Sequence, residues 1–117
     1  MRVCGLVPVY NNPLTLERVV SRVLAYIDSV IIVDDGSTDD TRVIAQRLAN
    51  DSAGRVYLKR LPRNSGKGGA MQAGQQLAQA HGFTHALQVD ADGQHNLEDI
   101  PQFLERAREH PQALIAG

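Results

Sequence analysis

The chain has 117 residues, 43% of them hydrophobic and 21% charged, a length that suits one domain and leaves too little material for two independent cores. Twelve Lys and Arg against thirteen Asp and Glu give a formal charge of -1, so there is no global basic field to draw nucleic acid or an anionic membrane. The single cysteine, Cys4, excludes an intramolecular disulfide and favours a reducing, cytoplasmic setting, and no apolar run approaches the roughly 20 residues a membrane helix needs.

Two hydrophobic periods alternate along the chain. The run Val3 to Val9 has the length of a strand, and Leu16, Val19, Val20, Val23, Leu24 and Ile27 follow at helical spacing. Ser29 to Val33 predicts a second strand, and its continuous Val30-Ile31-Ile32-Val33 implies burial on both faces. Ser37 with Asp40 three residues on reads as an acidic variant of a capping box, opening a helix that carries Val43, Ile44 and Leu48. Arg55 to Leu61 predicts the third strand. Ala70, Ala73, Gly74, Leu77 and Ala78 then form a small-residue stripe on a helix able to approach a sheet closely. Thr84 to Val89 reads as the fourth strand and Ala113 to Ala116 as the fifth. Between them Ile100, Phe103, Leu104 and Ala107 mark a helix, with Pro101 in its first turn and Pro111 just past its end.

This alternation predicts an α/β fold: a mostly parallel sheet, right-handed crossovers and helices on both faces. No repeat, low-complexity tract or Gly/Ser linker divides residues 1–117. In such sheets ligands gather at the carboxyl ends of the strands, where strand order reverses. Those ends carry Pro8-Val9-Tyr10-Asn11-Asn12-Pro13, Asp34-Asp35-Gly36-Ser37-Thr38-Asp39-Asp40, Arg63-Asn64-Ser65-Gly66-Lys67-Gly68-Gly69 and Asp90-Ala91-Asp92-Gly93-Gln94-His95.

Asp90 and Asp92 stand two apart, so an extended chain points both carboxylates to one side. A hard divalent cation, Mg²⁺ or Mn²⁺, relieves their repulsion, and Gln94 can add a carbonyl oxygen; the plainer reading is a pair of solvated loop aspartates. Asp34 and Asp35 close the most apolar strand, where a carboxylate can accept from a ribose hydroxyl or base N–H, or simply build the turn into the next helix. Lys67, flanked by Gly66, Gly68 and Gly69 at a helix start, suits a diphosphate or a solvated loop. Tyr10 can stack on a base or cover the sheet edge. His95 adjoins the acidic pair, whereas His81, His85 and His110 have no ligand-like spacing, and Cys4 reads as a small buried hydrophobe.

Neighbouring motifs fail by position. A Walker A loop around Lys67 needs glycine at position 61 and Ser or Thr at 68, where the chain has Leu61 and Gly68. A G-x-G-x-x-G from Gly66 meets Met71, an EF-hand from Asp90 meets Pro101, and an aspartyl-phosphate pattern from Asp90 meets Gln94.

Taken together, Pro8-Val9-Tyr10-Asn11, Val33 to Asp39, Asn64 to Gly68 and Asp90 to His95 resemble the amino-terminal half of an inverting family 2 glycosyltransferase with the GT-A fold, a Rossmann-like nucleotide-binding unit. The Asp90 to His95 segment is similar to that of polyprenyl- or dolichyl-phosphate sugar synthases. The resemblance implies that Pro8, Tyr10 and Asp35 line a nucleoside pocket with Asp34 close by, and that Lys67 faces a diphosphate. It further implies that Asp90 and Asp92 bind metal and donor, with Gln94 completing the metal shell. One departure is Asn12, where the family commonly has Glu.

The resemblance also implies a UDP- or GDP-type sugar donor and an acceptor that is a lipid phosphate or a hydroxyl, at the cytoplasmic face of a membrane in the first case. No catalytic residue is identifiable, because the family's acceptor half carries the base and this chain ends at Ile115-Ala116-Gly117. The expectation is therefore a donor-binding half of a longer transferase, whose open sheet edge favours self-association. Two other readings stay open: a non-catalytic nucleotide-sugar-binding module, and a phosphohydrolase using Asp90.

Overall fold

Among the described residues five strands and four helices alternate as the two hydrophobic periods predict. The computed structural model describes residues 1–92, 99–109 and 114–116. Its elements are β1 (Val3–Val9), α1 (Leu16–Leu24), β2 (Ser29–Asp35), α2 (Thr41–Asp51), β3 (Val56–Leu61), α3 (Gly66–Ala80), β4 (His85–Gln88), α4 (Ile100–Glu109) and β5 (Leu114–Ala116). They build a five-stranded sheet in the order β3-β2-β1-β4-β5, and every pairing is parallel. The chain steps outward from β1 through β2 to β3, then returns to add β4 and β5 on the other side of β1. Strand order therefore reverses between β1 and β4.

The sheet is covered on both faces. Val7, Val9, Val30 and Ile32 pack under the apolar stripe of α1 (Leu16, Val19, Val20, Val23) together with Ile100 and Phe103 of α4. On the opposite face Cys4, Leu6, Ile31 and Val33 meet Ala70 and Ala78 of α3. Val30 to Val33 are completely buried, as the unbroken apolar run requires, and each such side chain contributes about 1.5–3 kcal/mol by leaving water. The small-residue stripe of α3 has a direct cause: a Cβ on Gly74 would stand 2.4 Å from Leu6 Cδ1, so only glycine lets this helix sit so low on the sheet.

Three expectations change. First, β2 runs on to Asp35, pairing Asp34 with Arg60 and Asp35 with Leu61, so both aspartates belong to the strand and point to opposite faces. Second, Ser37 does not cap α2, which starts four residues later at Thr41; its hydroxyl instead accepts the Asn11 N–H at 3.0 Å. Third, α4 packs on the face of α1 although the chain there crosses the sheet in the other direction. That crossover is opposite in hand to the β1-α1-β2 unit, not uniform with it, because Ile100 and Phe103 cover the apolar surface of Val9, Leu87 and Val89. The β4 strand is also shorter than its apolar run, although Val89 N–H still reaches the Leu6 carbonyl at 2.9 Å. At the β3 edge, exposed Lys59 and Arg60 disfavour addition of a further strand there.

Candidate functional site

A cleft of about 310 Å³ opens at the carboxyl ends of β1 and β4, where the strand order reverses, the place where ligands collect in open parallel sheets. Pro8, Val9, Tyr10 and Asn12 form one wall; Asp35, Asn64, Gly66, Lys67 and Ala70 form the second; Asp90, Ala91 and Asp92 form the third. Six of the eight residues singled out from the sequence, Pro8, Tyr10, Asp35, Lys67, Asp90 and Asp92, thus line one cavity. Asp34 does not line it. Gln94, the expected third metal ligand, lies outside the described residues, as does His95.

The first wall is latched to the end of β2 by side chains. Asn11 adopts a left-handed backbone with φ 47°, a conformation asparagine tolerates better than most residues. Its N–H donates to Ser37 Oγ, and its Oδ1 accepts the Thr38 N–H at 2.9 Å. Ser37 is fixed in turn, because its own N–H donates to Asp34 Oδ1 at 3.0 Å. Tyr10 follows β1 directly and stays 48% exposed, so its ring covers no core and is accessible from the cleft.

The two aspartates of β2 divide the work by strand alternation. Asp34 is wholly buried; its Oδ2 has no hydrogen bond among the described residues, and its countercharge is Arg60 Nε at 3.5 Å. Asp35 faces the cleft side, where its Oδ1 accepts both the N–H and the hydroxyl of Ser65 at 2.8 Å. That pair of bonds fixes the residue from which α3 starts. Between them Gly36, at φ +77°, leaves room for the incoming loop: a Cβ there would stand 2.5 Å from the Arg63 carbonyl carbon and the Asn64 nitrogen.

The third wall is held by charge. Asp90 Oδ1 accepts from Lys67 Nζ at 3.1 Å and from Gln88 Nε2 at 3.2 Å. Lys67 comes from the first turn of α3, where helix N–H groups and the macrodipole favour an anion. Asp92 is exposed. Thr15 ties this wall to the first one, its hydroxyl lying between Asn12 Oδ1 and the Ala91 carbonyl oxygen.

Among the described residues no group of three His, Cys, Asp or Glu side chains could hold a metal ion alone. Two carboxylates on one cleft wall still fit Mg²⁺ or Mn²⁺, hard cations that commonly take one or two carboxylates and fill the remaining positions with water and substrate phosphate. The chemistry of the cleft is therefore oxygen donors on one side and a lysine with a helix amino end on the other.

Two positioning residues, Thr15 and Ser65, escaped the sequence reading. Thr15 and Ser65 occupy helix N-cap positions without making a side-chain cap bond; their hydroxyls cross-link the cleft walls instead. Gly69, expected only to flank Lys67, supports them, since a Cβ there would stand 2.7 Å from Ser65 Oγ and displace it from Asp35. A hydroxyl before a helix is the one signal available, and it points first to a cap.

Residues 5–117 match the family described as Glycosyl transferase family 2. The chain is 36% identical over 113 residues to the undecaprenyl-phosphate mannosyltransferase of Micrococcus luteus, covering 92% of this chain and 45% of that protein. Among solved structures it is similar to S. aureus TarS 1-349 in complex with UDP, with a TM-score of 0.69 and 25% identity over 95% of this chain and 33% of that one. It is also similar to the mannosyltransferase PcManGT of Pyrobaculum calidifontis in complex with GDP-Man and Mn²⁺, with a TM-score of 0.59 and 26% identity over 66% of this chain and 24% of that one. The chain spans less than half the length of each of these proteins.

Proposed function

The chain belongs to glycosyl transferase family 2, and from that premise we propose that its cleft binds a nucleoside diphosphate sugar, of UDP or GDP type, for inverting transfer to a polyprenyl-phosphate acceptor. The observation that carries this reading is the convergence of Asp35, Lys67, Asp90 and Asp92 on one cavity at the switch point. The UDP and GDP-Man held by TarS and PcManGT support the donor class, and the mannosyltransferase of Micrococcus luteus supports the acceptor class. With that acceptor the cleft would work at the cytoplasmic face of a membrane, and none of the described helices is long and apolar enough to cross one.

Each wall then has a task. Tyr10 stacks on the base, and Asp35, already oriented by Ser65, accepts from a base N–H or a ribose hydroxyl. Lys67 and the first N–H groups of α3 bind the diphosphate. Asp90 and Asp92 would hold Mg²⁺ or Mn²⁺, which when bound supplies charge neutralisation on the diphosphate oxygens. In the transfer the bond between the anomeric carbon and the diphosphate oxygen breaks and its electron pair leaves with the nucleoside diphosphate. An acceptor phosphate oxygen forms the new bond on the opposite face. That oxygen is already anionic, so no proton has to be removed, and the residues here need only bind, orient and stabilise the leaving charge.

The test is transfer of radiolabel from UDP- and GDP-linked sugars to undecaprenyl phosphate in the presence of Mn²⁺, read as label in the organic phase. Metal-dependent transfer supports the reading. Metal-dependent nucleotide binding with no label transferred by any product containing this chain favours a binding module instead.

A further inference from the structure

We infer that Lys67 acts as a stand-in cation at Asp90, released when a divalent ion and the diphosphate bind, so that the two ligands are coupled through the exchange of one lysine. The inference rests on the donor-site reading above. Its geometric basis is the single oxygen Asp90 Oδ1, which already accepts Lys67 Nζ at 3.1 Å and Gln88 Nε2 at 3.2 Å. A divalent ion on this carboxylate meets an ammonium group at contact distance from its own ligand, and like charges so placed repel. Either the ion binds weakly or the lysine leaves.

The surroundings make leaving easy. The Lys67 side chain is 62% exposed and that of Asp90 42%, and an ion pair this open to solvent contributes little to folding. Its neighbours Gly66 and Gly68 carry no side chain that could pack against the lysine. The stem of lysine is flexible, unlike the rigid fork of arginine. A diphosphate arriving at the start of α3 offers the ammonium a new anion and vacates Asp90 for the metal. Each ligand thereby removes an obstacle to the other, and linkage requires the coupling to be reciprocal.

The experiment is Mn²⁺ titration of the 117-residue chain followed by electron paramagnetic resonance, with and without UDP, on wild type, Lys67→Met and Arg63→Gln. Arg63 lies in the same loop but does not line the cleft, so it controls for a distant loss of positive charge. Lys67→Met is expected to bind Mn²⁺ without nucleotide about two- to five-fold more tightly, the range an exposed pair supports. The gain that UDP brings to Mn²⁺ affinity should shrink by the same factor, and Arg63→Gln should match wild type. Wild-type affinity for Mn²⁺ in Lys67→Met, or an equal gain in both variants, overturns the inference while the donor site stands. Absence of Mn²⁺ binding in wild type even with UDP overturns the donor-site reading and the inference with it.

Discussion

The two sides of the cleft are built differently. Toward β2, the wall is a lattice of bonds of 2.8–3.0 Å, all but the Asn11–Thr38 bond at least partly buried: Asn11 to Ser37 and Thr38, Ser37 to Asp34, Asp35 to Ser65. Toward β4, the wall is a carboxylate, an exposed lysine and a glutamine around one oxygen. Buried bonds to fixed partners hold one geometry, whereas exposed charges exchange partners at little cost. The difference teaches that the β2 side is preformed and that the β4 side is left adjustable for a ligand to organise. Preforming the first side lowers the ordering cost of binding.

Substitutions on the two sides should therefore fail in different ways. Gly36→Ala forces a Cβ to within 2.5 Å of the Arg63–Asn64 backbone at φ +77° and should destabilise the fold by about 2–5 kcal/mol, read from urea denaturation. Gly68→Ala, where a Cβ meets nothing within 4 Å, should leave stability unchanged or slightly raised. If both glycines tolerate alanine equally, close packing at Gly36 is not what holds the β2 side of the cleft.

Asp92→Ala should show the reverse pattern. The residue is exposed, so the melting transition should barely move, while Mn²⁺-dependent turnover of the transferase should fall by roughly 10²–10³, or about 2.7–4 kcal/mol of barrier. Unchanged turnover would remove Asp92 from the proposed metal shell.

Arg60→Met is the next smaller effect and probes the buried end of the lattice. It leaves the wholly buried Asp34 without its countercharge at 3.5 Å and should cost about 1–3 kcal/mol in denaturant titrations. Nucleotide affinity should then weaken only as far as the Ser37–Asn11 latch loosens. A variant as stable as wild type would show that Asp34 is neutralised by other means.

The mildest test lies beneath both walls. Burial pushes the Cys4 thiol up to about 12 from an ordinary value of 9.0, partly offset by Arg2. Because the folded value lies above the unfolded one, the stability it contributes is complete below about pH 9 and is lost as pH rises toward 12. Native protein at pH 8 should resist iodoacetamide, with labelling appearing only on unfolding.

Much of this organisation was legible beforehand. The order of strands and helices follows from two hydrophobic periods, and in a parallel sheet the loops after the strands must share one edge, so the four loops come together from topology, while the choice of Pro8, Tyr10 and Asp35 within them rests on the resemblance to family 2 glycosyltransferases. What could not be read was direction. Whether Asp34 or Asp35 faces the cleft depends on β2 continuing to Asp35, which is decided by pairing with Arg60 and Leu61 on another strand. The hydroxyl of Ser37 misleads for a related reason: local sequence suggests a helix cap, and a tertiary partner, the Asn11 N–H, claims it; Thr15 and Ser65, which the sequence did not single out, likewise bond to partners far along the chain. The face chosen by α4 is likewise settled by tertiary packing, on Val9 far along the chain and on Leu87 and Val89 before the helix.

Calorimetric titration of UDP and GDP into the chain, with saturating Mn²⁺ and again with EDTA, in wild type and in Asp90→Ala/Asp92→Ala, bears most directly on the proposed donor site. The expected result is binding of one of the two nucleotides that is strong with Mn²⁺, weak with EDTA, and insensitive to Mn²⁺ once both carboxylates are gone. No heat from either nucleotide at saturating Mn²⁺, or the same affinity in the double variant, would contradict it.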